Sequence, residues 1–227
     1  MAGLGQTDKP GKVDAVNSAM PDLPNLVATL MQSRQTILPK RLVEPGPNAD
    51  QLRAILGAAA SAPDHGQLLP WRFIVVPAEA RGLLAEQFAH ALLARDSAAL
   101  PDQQEQAREK AFRSPLLMLA VVDGACGDPQ IDLHERILSA GCAIQNMLLM
   151  ATTQGFGSAL TSGKALKFEG LRQLFALQAS DHALCFLSFG SVQSRKPQRA
   201  RPVPADYVAH LTVHAGVLSG LPLSDSL

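Results

Sequence analysis

The stretch Ser-Ala-Pro-Asp-His-Gly-Gln-Leu-Leu-Pro-Trp-Arg-Phe, residues 61–73, connects a helical pattern to an apolar strand. Pro63 and Pro70 each disfavour a helical conformation at the residue before them, so a fixed elbow separates the helix from the strand. The elbow carries three hydrogen-bonding side chains, Asp64, His65 and Gln67. A rigid loop of this kind predicts either a ligand site or an ordinary helix-to-strand turn with Trp71 in the core.

Outward from the elbow, helical patterns alternate with apolar strand patterns. Asn48 and Gln51 have the spacing of a capping box, which predicts a helix that begins there. The other helices are predicted at 25–31, 79–94, 102–112, 131–153 and 168–176, and the strands at 73–76, 115–122 and 182–190. This order predicts an α+β or α/β domain with one mixed sheet.

Composition excludes several classes of function. Twenty basic and twenty acidic residues cancel and aromatic residues are 4% of the chain, so no nucleic-acid surface is predicted. No apolar run reaches about 18 residues, and residues 1–24 lack the apolar region of a secretory signal. These features predict a cytoplasmic protein without a membrane span. Cys126, Cys142 and Cys185 are too far apart for a metal motif and are predicted to be reduced thiols.

Motifs for metal, nucleotide or nucleophilic chemistry are absent from the sequence. His210 and His214 are four residues apart and could share a helix face, but no third ligand accompanies them, so no metal site is predicted. Three segments carry arginine, lysine or hydroxyl side chains, which are the usual means of holding a phosphate: 33–36, 161–163 and 190–196. Together with the elbow they suit a phosphorylated cofactor.

The predicted helix 131–153 is apolar on nearly every side between residues 140 and 151, with Gln145 and Asn146 as exceptions. A helix of this kind is buried, either in the centre of a domain or at a subunit interface. Both alternatives remain open from the pattern itself.

The order of these segments resembles the FMN-dependent nitroreductase family, and within it the small bacterial NAD(P)H nitroreductases with a Pro-Asp-His elbow. The matching segments are Ser-Arg-Gln-Thr (33–36), Arg-Leu-Val-Glu-Pro (41–45), Ala-Pro-Asp-His (62–65), Pro-Trp (70–71), Ser-Ala-Gly-Cys-Ala (139–143), Gln-Gly-Phe-Gly (154–157) and Phe-Gly (189–190). The resemblance covers 25–201, which we expect to be the FMN-binding domain between a flexible N-terminal extension, 1–24, and a C-terminal extension, 202–227.

The resemblance implies a three-layer α+β sandwich with a mixed central sheet, and a homodimer that binds FMN at its interface. It implies a ping-pong oxidoreductase that takes hydride from NADH or NADPH and reduces a small electron-poor acceptor such as a nitroaromatic or a quinone. The flavin N5 carries the hydride, so no catalytic side chain is expected. The alternatives are a non-catalytic FMN carrier and a flavin enzyme with a dedicated reaction such as reductive dehalogenation; a metal-dependent hydrolase has no ligand spacing to support it.

The resemblance also assigns site residues. The expected contacts with FMN are Arg34, Gln35 and Thr36 at the phosphate and ribityl chain, Ser61 and His65 from the elbow of the partner chain, Leu160, Thr161 and Ser162 beside the ring, and Arg195 and Lys196 at the phosphate. The expected contacts with the nicotinamide nucleotide are Met150, Ala151, Thr152, Thr153, Gln154 and Gly155.

Three positions depart from the family pattern. Gln35 replaces an arginine, Ser61 stands where a relative has arginine, and Leu160-Thr161 replaces Trp-Arg. One unreplaced charge-assisted hydrogen bond would weaken FMN binding by about 1–3 kcal/mol.

Overall fold

A computed structural model of the chain describes residues 22–198, 200–214 and 217–222. The helices are α1 Leu23–Ser33, α2 Ala49–Ala59, α3 Arg81–Leu93, α4 Pro101–Glu109, α5 Leu133–Thr153 and α6 Glu169–Leu174. The strands are β1 Leu42–Val43, β2 Trp71–Val75, β3 Leu116–Asp123, β4 Gly157–Thr161, β5 Asp181–Val192, β6 Ala209–His214 and β7 Val217–Pro222. All six predicted helices and all three predicted strands are present; β1, β4, β6 and β7 were not predicted.

The strand pairs of the main sheet are antiparallel, where a mixed sheet was predicted; a parallel pairing occurs as an isolated bridge between Thr36 and Ser158. The strand order is β1-β5-β3-β2, with β4 also paired with β5. Strands β3 and β5 are central because each has neighbours on both edges. This explains why both read as continuous apolar runs in the sequence.

Side chains of β3 alternate between two cores, one on each face of the sheet. Met118 and Ala120 join a cluster that includes residues of α2 and α5. Leu119 and Val121 join a second cluster that includes residues of α3 and α6. Helices therefore cover both faces of the sheet, which confirms the predicted α+β sandwich.

Cys185 lies in the first core, where burial raises the pKa of its thiol to about 11. The thiol stays protonated at neutral pH and packs as a small apolar group.

The elbow is tighter than the prolines predict. The capping box of Asn48 and Gln51 forms as expected and begins α2. Leu69, however, has a φ of 47° instead of the extended conformation that a following proline favours. The carboxylate of Asp64 accepts a hydrogen bond from the backbone N–H of Leu69 at 2.7 Å, which holds this turn.

A first compact unit ends at Ser194 and a second begins at Arg195. Within the second unit, β6 and β7 pair as an antiparallel hairpin, so His210 and His214 lie on a strand and do not share a helix face. Most of the predicted N-terminal extension, 1–24, lies outside the described residues. No helix among the described residues is long and apolar enough to cross a membrane.

An ion pair ties β2 to the start of β5. The guanidinium of Arg72 donates two hydrogen bonds, at 2.8 and 2.6 Å, to the carboxylate of Asp181, which is 3% exposed. The hydrogen bonds from Arg72 lower the pKa of Asp181, and burial opposes them only in part. A carboxylate with a lowered folded-state pKa contributes stability that is complete above its unfolded pKa, about 3.9, and is lost as the pH falls through the folded value.

We therefore expect Asp181→Asn to lower the free energy of unfolding at pH 7 by about 1–3 kcal/mol. Urea unfolding of both proteins between pH 7 and pH 3 measures this. The difference between wild type and variant should narrow below pH ~4, because the wild-type carboxyl is then protonated. A difference that is constant over the whole range would contradict the assigned role.

Candidate functional site

A cavity of about 520 Å³ opens between the end of β4 and the helices α3 and α4. This volume is within the usual range for small-molecule sites. Its walls combine apolar groups with five basic side chains, and no carboxylate of the described part of the chain lines it. The lining residues with functional chemistry are Lys40, Phe88, Arg95, Lys110, Arg113, Thr161, Ser162, Lys164, Phe186 and Ser188. The cavity suits an anionic molecule that has an apolar body.

Two of the predicted flavin segments lie side by side next to the cavity. Thr36 forms an isolated parallel bridge with Ser158 of β4, and the Ile37 amide donates to the Ser158 carbonyl at 2.9 Å. Residues 34–36 therefore lie beside β4, and the chain continues directly into the cavity lining at Leu38. Thr161 and Ser162 line the same cavity where β4 ends.

The basic side chains were not predicted as site residues. Desolvation lowers the pKa of Lys110, and repulsion from Arg113 and Arg95 lowers it further. Among the described residues, Arg113 has a carboxylate near it, that of Glu109 at 3.8 Å, whereas no ion pair forms at Arg95 or Lys110. In the sequence these charges read as the solvated side of helices, so no local signal places them in a cavity.

The elbow lies apart from this cavity within one chain. Strands β5 and β3 separate β2 from β4, and three strand spacings amount to roughly 14 Å. His65 Nδ1 is 2.6 Å from Oε2 of Glu135 in the first turn of α5, and Trp71 Nε1 donates to Ser139 Oγ at 3.0 Å. The structure therefore docks the elbow on α5, and Ser61 and His65 do not line the cavity of their own chain.

Several other predicted contacts of the first unit do not line the cavity: Arg34, Gln35, Thr36, Leu160 and residues 150–155. Residues 150–155 form the end of α5 and the turn after it, where Ala151 is fully buried and Gly155 has a φ of 84°. Arg195 and Lys196 open the second unit and are exposed. The roles of both groups stay predictions.

The sandwich and its cavity define an α+β protein with a site for a small anionic molecule. The family model described as "Nitroreductase family" matches residues 34–191. The chain is also 34% identical over 173 residues to YdjA of Escherichia coli K12, provisionally named an NAD(P)H nitroreductase, and the match covers 75% of this chain and 92% of YdjA. The chain belongs to the nitroreductase family and is thereby an oxidoreductase by class.

Solved structures share the fold. A nitroreductase-like family protein from Bacillus cereus superposes with a TM-score of 0.68 at 17% identity, over 79% of this chain and 92% of the other. An iodotyrosine deiodinase bound to FMN and 3-iodo-L-tyrosine superposes with a TM-score of 0.60 at 18% identity, over 78% of this chain and 95% of the other. The predicted nitroreductase-like architecture is confirmed.

Proposed function

We propose that the protein is an FMN-dependent oxidoreductase that uses NADH or NADPH to reduce a small electron-poor acceptor. The observation that carries this proposal is the cavity, in which the described residues supply apolar walls and five basic side chains. The name of the relative YdjA and the FMN in the deiodinase neighbour support the same chemistry.

The residues at the cavity fit the two parts of FMN. A phosphate needs cations and hydroxyl or amide donors, which residues 34–36 offer beside β4. The ring needs apolar surface with polar groups at its edge, which Thr161 and Ser162 offer. Lys40 and Lys164 line the same cavity and supply positive charge that Gln35 does not. These two lysines would compensate for the positive charge that is missing at Gln35, and so for the predicted loss of flavin affinity.

Bound FMN supplies hydride chemistry, accepting from a nicotinamide and passing the electrons to an acceptor. The chain's own residues bind and orient the participants. Arg34 and Thr36 hold the anionic end, and the wall at Phe88 and Phe186 excludes water from one side of the cavity. No side chain of the cavity is assigned a proton-transfer step.

A homodimer completes this proposal. Helix α1 buries none of its own residues, and its apolar side chains remain exposed, Leu26 at 58% and Met31 at 57%. Leu138 on α5 is 69% exposed. Apolar surface of this kind on neighbouring helices marks a protein interface, and two-fold dimers are the commonest oligomers. A partner chain placed here would bring its elbow, with Ser61 and His65, toward the cavity that these residues cannot reach within their own chain.

Two other functions remain candidates inside the same site. The fold of iodotyrosine deiodinase favours a flavin enzyme with a dedicated reaction such as reductive dehalogenation. A non-catalytic FMN carrier would bind the flavin in the same cavity without oxidising NADH.

An absorbance spectrum of the purified protein, before and after anaerobic addition of NADH or NADPH, tests the proposal. Flavin peaks that bleach are the expected result. Flavin that stays oxidised with both nucleotides would favour the carrier. Absence of flavin, even after incubation with FMN, would overturn the proposal.

The variant Arg34→Ala tests the location of the flavin in the same experiment. We expect it to weaken FMN binding by about 1–3 kcal/mol, because one charge-assisted hydrogen bond to the phosphate is lost. Arg53→Ala is the control, since Arg53 is 76% exposed and pairs only with Asp50 on its own helix. Equal flavin affinity for Arg34→Ala and wild type, by fluorescence titration, would contradict the assignment.

A further inference from the structure

Three cations from the end of α3 and the end of α4 meet in the cavity. Arg95 follows α3, Lys110 begins the 3-10 helix after α4, and Arg113 follows that helix. All three line the cavity. None belongs to the segments that the family resemblance assigns to FMN, all of which come from other elements. We call Arg95, Lys110 and Arg113 the cation cluster.

The cluster carries more positive charge than its surroundings neutralise. Like charges that are partly removed from water repel one another. Burial is the main cause that lowers the pKa of Lys110, and the further lowering by Arg113 and Arg95 is a sign of this repulsion. Among the described residues, the ion pair that the cluster forms is that of Arg113 with Glu109, at 3.8 Å, an (i, i+4) pair of a kind that contributes little to stability. An anion bound beside the cluster would remove this unfavourable energy.

An aromatic surface adjoins the cluster. Phe88, Leu92 and Arg95 lie on one face of the α3 segment, at positions i, i+4 and i+7, and all three line the cavity. The ring of Phe88 meets that of Phe186 edge-to-face, with centroids 5.5 Å apart. An aromatic ring can therefore pack on this wall while a negative group attached to it reaches Arg95 or Lys110.

We propose that the cation cluster binds the anionic group of the electron acceptor, so that the preferred acceptor is an aromatic molecule that carries a carboxylate. This inference rests on the proposed function and adds the substrate class. Arg95 and Lys110 are specificity-determining residues in this proposal, because they act on the charge of the acceptor and not on its reducible group.

Calorimetric titration with 4-nitrobenzoate and 4-nitrobenzamide tests the proposal, since the two molecules share ring, size and nitro group and differ in charge. We expect the FMN-loaded protein to bind the benzoate about tenfold more tightly, as for one charge-assisted hydrogen bond. The double variant Arg95→Gln, Lys110→Gln should bind both within about threefold. Lys167→Gln is the matched control, because Lys167 is an exposed lysine of the neighbouring 3-10 helix that does not line the cavity.

The same titration separates this proposal from the proposed function. Flavin content and melting temperature of the double variant should equal or exceed those of wild type, since substitution removes repulsion. Equal affinity of the wild type for both molecules would overturn the proposal, and so would a loss of FMN from the double variant, which would assign the cluster to the flavin phosphate. If the double variant changes only the preference for NADPH over NADH, the cluster binds the nicotinamide nucleotide and the proposal is overturned as well. A wild-type protein that binds no flavin would overturn the proposed function. In that protein, tighter binding of 4-nitrobenzoate than of 4-nitrobenzamide would still show that the cation cluster binds the carboxylate.

Discussion

Arg136→Ala is expected to lower the free energy of unfolding by about 3–5 kcal/mol. Arg136 is 1% exposed and points from the first turns of α5 into the loop before the helix. Its guanidinium donates to the carbonyls of Ile131 at 3.0 Å and Asp128 at 2.8 Å, and also to the carbonyl of Cys126. Truncation leaves these carbonyls without their donor and removes the side chain that fills the loop.

Arg136→Ala should also disturb the elbow, because the elbow packs on the loop that precedes α5. A Cβ atom at Gly127 would lie 2.3 Å from Leu68, and one at Gly66 would lie 2.9 Å from Ile131. Contacts this close show that loop and elbow fit together without spare room. If the loop loosens, His65 loses its position beside Glu135, and we expect flavin affinity to fall along with stability.

Urea unfolding and flavin titration of the same preparations measure both effects. Arg53→Ala, which removes an exposed arginine of α2, should change stability by no more than about 0.5 kcal/mol. Arg136→Lys keeps the charge but loses the planar fork, so it should recover only part of the loss. Equal stability of Arg136→Ala and Arg53→Ala would show that the buried guanidinium contributes nothing to the loop.

Local signals were sufficient for the framework of the fold. The capping box at Asn48 placed the start of α2, and the apolar run at 115–122 placed the central strand β3. Proline positions placed the elbow between α2 and β2. Each of these features is determined by residues that are close in sequence, so the local sequence pattern is enough to predict it.

Strand β4 was missed because its sequence resembles a helix end. Gly157 follows the glycine turn after α5, which indicates a loop. In the structure a Cβ atom at Gly157 would lie 2.7 to 2.9 Å from side chains of Val192, Leu42 and Ile37. Glycine is required at this position because side chains from three other parts of the chain pack closely against it. These side chains are distant in sequence, so the local pattern around Gly157 does not predict the strand.

The charged residues of the site were missed for the same reason. Asp132, His134 and Glu135 indicate the solvated start of a helix in the sequence, and only the folded chain brings His65 to Glu135. Lys110 indicates only an exposed charge in the sequence; its side chain is exposed in the structure as well, but packing of α3 against α4 places it at the cavity. Charges at helix ends are ambiguous in a sequence because tertiary packing decides whether they face water or a site.

Leu26→Asp is expected to convert the proposed dimer into a folded monomer that has lost most of its flavin. An aspartate carboxylate inside an apolar interface loses its hydration without gaining a partner, which costs several kcal/mol. An increase of at least about 100-fold in the dimer dissociation constant follows, since each 1.4 kcal/mol changes it tenfold. Folding itself should be preserved, because α1 buries none of its residues within its own chain.

Sedimentation velocity and the ratio of flavin to protein absorbance, measured on the same samples, check both parts of this prediction. Thr29→Asp is the matched control, since it adds the same charge to α1 at an exposed position on the polar side of the helix, between Asn25 and Gln32. This control should stay dimeric and yellow. A Leu26→Asp protein that is monomeric but keeps its flavin would show that the elbow of the partner is not needed at the cavity. A Leu26→Asp protein that remains dimeric would place the interface elsewhere, and the exposed apolar side of α1 would then need a different occupant. If Leu26→Asp loses both the dimer and the flavin while Thr29→Asp keeps both, the result supports a flavin site that needs the partner chain, with its Ser61 and His65.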